Sequence, residues 1–135
     1  MHKVWIADDD QAIRLILEES LGNAGFATEL FSNGEELVKK LEKEKPDLVI
    51  TDVQMPGMLG YDILKHIENN YDDLPVIVMT AFADMQAAVE AFGGGAFEYI
   101  TKPFDLDETI KIIKRALEEK PKTKGLKKDT GLDII

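Results

Sequence analysis

The sequence contains no cysteine. That excludes a disulfide framework, thiol catalysis and a cysteine-ligated metal, and it fits a cytoplasmic setting. Long apolar runs are missing too. The uninterrupted ones are short stretches such as Val76 to Met79, far below the ~18 to 20 residues that a membrane helix requires. The opening residues Met-His-Lys-Val-Trp-Ile-Ala lead directly into charged ones, without a signal-peptide layout. A cytoplasmic protein with no membrane partner is therefore expected. Positive charge is also scarce, since 16 basic residues face 26 acidic ones and leave a net charge of −10. Residues 1–120 hold 12 basic and 24 acidic residues, a balance of −12, whereas residues 121–135 hold four Lys and two Asp, a balance of +2. A body that acidic is repelled by phosphate backbones. No nucleic-acid binding is expected of this segment, and any DNA-binding part belongs elsewhere.

What is present alternates between two periodicities. Lys3 to Ala7, Ala27 to Phe31, Leu48 to Asp52, Val76 to Thr80 and Phe97 to Thr101 read as five strands, several of them apolar nearly throughout. Between them Ile13, Ile16, Leu17, Leu21 and Ala24 fall on one helical face, as do Leu37 and Leu41, then Ile63 and Ile67, then Ile110, Ile113 and Leu117. Five β-α units of this kind predict an α/β fold, an open doubly wound five-stranded parallel sheet with helices on both faces. The 135 residues suit one domain. Residues 1–120 are assigned to it, and residues 121–135, where Pro121, Lys122 and Gly125 stop the last helix, read as a linker. The cluster Gly93 to Gly95 ends a helix before the fifth strand.

Ligand sites in such sheets lie beyond the C-terminal ends of the strands. There the sequence places Asp8-Asp9-Asp10, then Asp52, then Thr80-Ala81, then Thr101-Lys102-Pro103. Three carboxylates brought together without a counterion repel one another, and a hard cation with oxygen ligands removes that penalty, so the set asks for Mg²⁺. Asp8 to Asp10 also read as a helix cap with first-turn acids. Both roles fit at once, with Asp10 as cap and Asp8 and Asp9 as metal-site acids. Asp52 is followed by Val53-Gln54-Met55-Pro56-Gly57, a turn signature that exposes the last strand side chain as a possible nucleophile. A carboxylate, Mg²⁺, the Thr80 hydroxyl and the Lys102 ammonium form a complete set for phosphoryl transfer, which demands positioning and charge neutralisation.

Taken together, the acidic pair after strand one, Asp-x-x-Met-Pro-Gly after strand three, Thr-Ala after strand four and Lys-Pro after strand five resemble the receiver domains of two-component response regulators, over roughly residues 3–120. The resemblance implies strand order 2-1-3-4-5 and a phosphoryl group accepted on Asp52 from a sensor histidine kinase. It implies Mg²⁺ held by Asp8, Asp9, Asp52 and the backbone carbonyl of Gln54, with Thr80 as switch hydroxyl, Lys102 as phosphoryl contact, Tyr99 as aromatic switch and a cis Lys102-Pro103 bond. Autophosphorylation and slow autodephosphorylation are then the extent of its chemistry. Self-association through helix four, strand five and helix five is the expected readout. Val4 to Asp10, Met79 to Gly95 and Ala96-Phe97-Glu98-Tyr99 resemble more narrowly the nitrogen regulatory protein C (NtrC) branch of sigma-54-dependent activators, and Asp133-Ile134-Ile135 is similar to the opening of that branch's central ATPase domain. One departure is Leu59, where many receivers carry Asp before the glycine.

Two other readings share part of the pattern. Asp8-x-Asp10 formally matches the haloacid dehalogenase type of Mg²⁺-dependent phosphohydrolase, but Ala12 stands where that motif prefers Thr or Val, a cap domain does not fit and Asp52 is left unexplained. A single-domain or non-NtrC receiver, acting as a relay or interaction module, is the alternative within the family. A flavin protein of the same fold pattern needs a phosphate loop after strand one, and three acids there repel phosphate.

Overall fold

The structure, a computed structural model, describes residues 1–55, 57–93 and 95–119. The linker expected over 121–135, Pro56 of the turn signature and Gly94 of the glycine cluster lie outside them. The element order is β1 (Lys3–Ala7), α1 (Gln11–Asn23), β2 (Ala27–Phe31), α2 (Gly34–Leu41), β3 (Leu48–Asp52), α3 (Gly60–Asn70), β4 (Val76–Ala81), a 3-10 turn (Phe82–Asp84), α4 (Met85–Phe92) and β5 (Glu98–Lys102). A last helix, α5, spans 106–119. All strand pairs are parallel and the order is β2-β1-β3-β4-β5. The doubly wound five-stranded sheet is thus as expected. β4 runs one residue further than anticipated and β5 sits one residue later, which brings Lys102 inside the strand, opposite Ala81.

Alternation along the central strands sorts the apolar residues into two cores. Trp5 and Ala7 of β1 join Val49, Leu37, Ile63, Ile67 and Phe92 on the face covered by α2, α3 and α4. Val4 and Ile6 join Ile50, Ile77, Leu17, Leu21 and Ile113 on the face covered by α1 and α5. With both faces covered, the central strands are apolar on both, as a buried parallel sheet requires. Ile16 corrects the expected face of α1: it is 47% exposed. Ile13, Leu17, Leu21 and Ala24 form one stripe at 100° per residue, and Ile16 lies off that stripe.

Local chemistry fixes where the helices start, and thereby where the strand ends open. The Asp10 carboxylate accepts from Ala12 N–H at 2.9 Å and Ile13 N–H at 3.4 Å, capping α1. Asn33 caps α2 by accepting from Glu36 N–H at 2.9 Å. At α3 the cap position is Leu59, which has no side-chain acceptor; Asp62 reaches back to accept the Leu59 N–H at 3.1 Å, half of a capping box. Gly60 has no alternative here, because a Cβ at that position would collide with the carbonyl oxygen of Asp52.

Candidate functional site

The register of the sheet brings the C-terminal ends of β1, β3, β4 and β5 to one edge. Ligating oxygens of Asp8, Asp9 and Asp52 lie within 4.8 Å of one another. The three acids differ sharply in how they are held. Asp8 is 0% exposed. One of its carboxylate oxygens accepts the Asp10 N–H at 2.9 Å and the other accepts the Lys102 ammonium at 2.7 Å. Asp9 is exposed, and among the described residues no protein group bonds its carboxylate. Asp52 is half-buried; one oxygen accepts its neighbour Val53 N–H at 2.8 Å and the other stands 3.2 Å from Lys102 Nζ.

Burial pushes the Asp52 carboxyl above its ordinary value of 3.8, and the charge of Asp8 adds to the rise, while Lys102 and the Val53 N–H pull against it. For Lys102, burial acts to lower the ammonium pKa, but the hydrogen bond to Asp8 and the charges of Asp52 and Asp8 outweigh it, leaving it above 10.5. Lys102 is therefore a fixed cation between two acids. One ammonium facing three carboxylates leaves a negative surplus, and oxygen donors in surplus suit a hard divalent cation such as Mg²⁺.

Asp52 opens onto a cavity of about 230 Å³ lined also by Val53, Gln54, Thr80, Ala81, Asp84 and Lys102. Thr80, the penultimate residue of β4, is only 2% exposed and lines the cavity. Six of the seven expected site residues, Asp8, Asp9, Asp52, Gln54, Thr80 and Lys102, therefore meet at one strand edge. Tyr99 stands apart from them: its hydroxyl donates to the carbonyl of Gly93 at 2.9 Å and its ring packs edge-on against Phe92. Burial and the nearby Glu68 raise its phenol above the ordinary 10.0. Lys102-Pro103 is cis.

Asp84 was not anticipated in the cavity. It follows the Thr-Ala pair on the 3-10 turn and lines the cavity from there; its sequence signal is its spacing from β4. Asp8, the nucleophile of the hydrolase alternative, has both oxygens engaged and no exposure, whereas Asp52 faces open space. Asp10, the second acid of that motif, is spent on capping α1.

A protein-family model described as the response regulator receiver domain matches residues 4–114. The chain is 46% identical over 114 residues to the DNA-binding transcriptional regulator NtrC of Escherichia coli K12, covering 84% of this chain and 24% of that protein. It thus spans about a quarter of the length of that relative. Among solved structures, the apo receiver domain of nitrogen regulatory protein C superposes with a TM-score of 0.79 at 44% identity, covering 87% of this chain and 94% of that one. Response regulator TrrA of Thermotoga maritima, solved in complex with Mg²⁺-BeF, superposes with a TM-score of 0.77 at 32% identity, covering 86% and 99%. Among the described residues, no helix is long and apolar enough to cross a membrane.

Proposed function

The chain belongs to the response regulator receiver family, as a receiver of the NtrC type, and from that premise we propose that it accepts a phosphoryl group on Asp52 from the phosphohistidine of a sensor kinase. The observation that carries this is the setting of Asp52, the one acid of the cluster that both opens onto the cavity and lies beside the Lys102 ammonium. An Asp52 carboxylate oxygen attacks phosphorus, the bond from phosphorus to the kinase imidazole breaks, and the imidazole nitrogen keeps the electron pair. Lys102 and the Val53 N–H oppose the rise that burial and Asp8 cause in the Asp52 pKa, and so favour the ionised form that attacks. Lys102 supplies a positive charge to the transferred oxygens without needing to travel far from Asp52. Thr80 offers a hydroxyl from the cavity wall.

Asp8, Asp9, Asp52 and the Gln54 carbonyl would hold Mg²⁺, which supplies charge neutralisation during transfer. The donor set fits, since every side-chain candidate is a carboxylate and their oxygens converge. The TrrA structure, bound to Mg²⁺-BeF, supports the same reading by likeness. Residues 1–120 are proposed as the receiver domain and 121–135 as the linker toward a central ATPase domain, with DNA binding and control of sigma-54-dependent transcription lying in the longer protein. The readout is proposed to run from Thr80 to Tyr99 and to promote self-association on the α4, β5 and α5 face. A cytoplasmic location follows from this role.

The test is labelling with a small acyl phosphate in Mg²⁺, followed by mapping of the adduct by mass spectrometry. A single phosphoryl group on Asp52, lost in Asp52→Asn and on Mg²⁺ removal, is expected. A label elsewhere, or one that survives Asp52→Asn, overturns the assignment.

A further inference from the structure

We propose that Arg14 is a positioning residue for the acidic turn: its guanidinium holds the peptide group that joins Asp8 to Asp9, and thereby sets how well the turn takes Mg²⁺. The inference rests on the receiver reading above. Arg14 donates its guanidinium Nη1–H to the carbonyl oxygen of Asp8 at 2.7 Å and its backbone N–H to the carbonyl oxygen of Asp10 at 3.1 Å. Only the guanidinium bond is particular to arginine, because the backbone bond to Asp10 is the first hydrogen bond of the helix and survives substitution of the side chain. Asp9 needs such help. Its side chain is exposed and bonded to nothing among the described residues, so its carboxylate reaches the 4.8 Å cluster only because the backbone aims it there.

The Asp8 side chain is secured independently by Asp10 N–H and Lys102, and its N–H by the Phe31 carbonyl at 3.1 Å. Its carbonyl belongs to the peptide that joins it to Asp9. Without the guanidinium that peptide is free to rotate, and rotation swings Asp9 while leaving Asp8 in place. Helix stability does not explain the position of this arginine. Arg14 is the only basic residue of α1 and lies near its N-terminal end, where the helix dipole disfavours a cation.

Two roles for Arg14 predict opposite signs. If it acted only as a charge near three acids, its removal would tighten Mg²⁺ binding, because the cluster would become more negative. If it positions the turn, removal weakens binding despite the gain in negative potential. Residues that orient metal ligands change affinity on the order of tenfold or more when removed. Mg²⁺ affinity is measured by calorimetry or by its effect on the thermal midpoint, on wild type, Arg14→Ala and Arg14→Gln; Gln keeps a hydrogen-bond donor and discards the charge.

The expected result is about tenfold weaker binding in Arg14→Ala, with Arg14→Gln recovering most of the loss. Acyl-phosphate labelling of Arg14→Ala should return toward the wild-type rate when Mg²⁺ is raised, so that the half-saturating Mg²⁺ moves and the maximal rate does not. Binding in both variants equal to or tighter than wild type overturns the proposal, as does a loss in Gln equal to that in Ala. If Ala does not fold, Arg14→Met, which keeps a long stem and has no donor, takes its place: about tenfold weaker binding supports positioning, and binding equal to or tighter than wild type overturns it. Wild type that neither binds Mg²⁺ nor labels at Asp52 would remove the receiver reading itself, a different outcome from an unresponsive Arg14.

Discussion

The acidic floor of the site and the α4–β5 edge beside it are built to opposite specifications. On the floor, Asp8 is held through its N–H, its carbonyl and both carboxylate oxygens, by Phe31, Arg14, Asp10 and Lys102. At the edge, α4 is two turns long, with Ala88 and Phe92 its buried residues and Val89 42% exposed. It ends at Gly93, whose φ of +60° suits glycine, and it is tied back to β5 by the Tyr99 hydroxyl on the Gly93 carbonyl and by the edge-on contact of the Tyr99 and Phe92 rings. Phosphoryl chemistry needs fixed charges, whereas a readout needs an element with few contacts to break. The cavity of Asp52 touches both regions, through Lys102 on one side and Asp84 on the other.

The largest expected effect breaks the floor. Gly60→Ala drives a Cβ into the Asp52 carbonyl, so the β3–α3 connection must shift, at a cost of about 1 to 3 kcal/mol and with loss of labelling. Thermal melts and acyl-phosphate labelling check it; a variant that melts and labels like wild type contradicts the close packing.

Next comes the charge on Asp52. Its carboxyl titrates above 3.8 in the folded state because of burial and Asp8. The unfolded chain therefore ionises first. This group favours folding below the ordinary carboxyl pKa, and that contribution is lost as pH rises through the folded pKa. Asp52→Asn should raise the melting temperature of metal-free protein at neutral pH, with the gain shrinking as pH falls toward 3.8. Equal gains at all pH values would mean that charge is not the cause. Lys102 has the same sign of linkage in a higher pH window: its raised pKa contributes stability that is present at neutral pH and lost only above 10.5.

At the edge, Tyr99→Phe removes the bond to Gly93 and should cost about 0.5 to 1.5 kcal/mol, felt mainly as faster amide exchange at the end of α4. Mg²⁺ affinity should not move. A matching loss of affinity would merge the two regions into one. The smallest effect is a control at an exposed position of the β3–α3 connection: Leu59→Ser gives α3 the acceptor its cap position lacks and should stabilise by about 0.5 to 1 kcal/mol without altering labelling.

The floor was largely legible in the sequence and the edge less so, for a physical reason. Strand ends announce themselves by apolar runs that stop at a charged residue, so Asp8, Asp52 and Lys102 could be brought to one edge from periodicity and sheet topology alone. Side chains that work through space carry weaker marks. Asp84 enters the cavity because a 3-10 turn bends the chain after β4, and a turn of three residues leaves no periodicity to read. Arg14 looks like any helix-surface residue until the Asp8 carbonyl it holds is seen, its one signal being a lone cation near the wrong end of a helix dipole. Ile16 reads by its spacing as part of the apolar face of α1, but the buried stripe runs through Leu17 and Leu21 and leaves it exposed.

Hydrogen exchange measured with and without a beryllium fluoride adduct on Asp52, in Mg²⁺, tests the division of labour most directly. The account predicts altered exchange across residues 84–93 and 95–104, with residues 3–14 of the floor protected to the same degree or more. Exchange that loosens on the floor while the α4–β5 edge stays unchanged would contradict it.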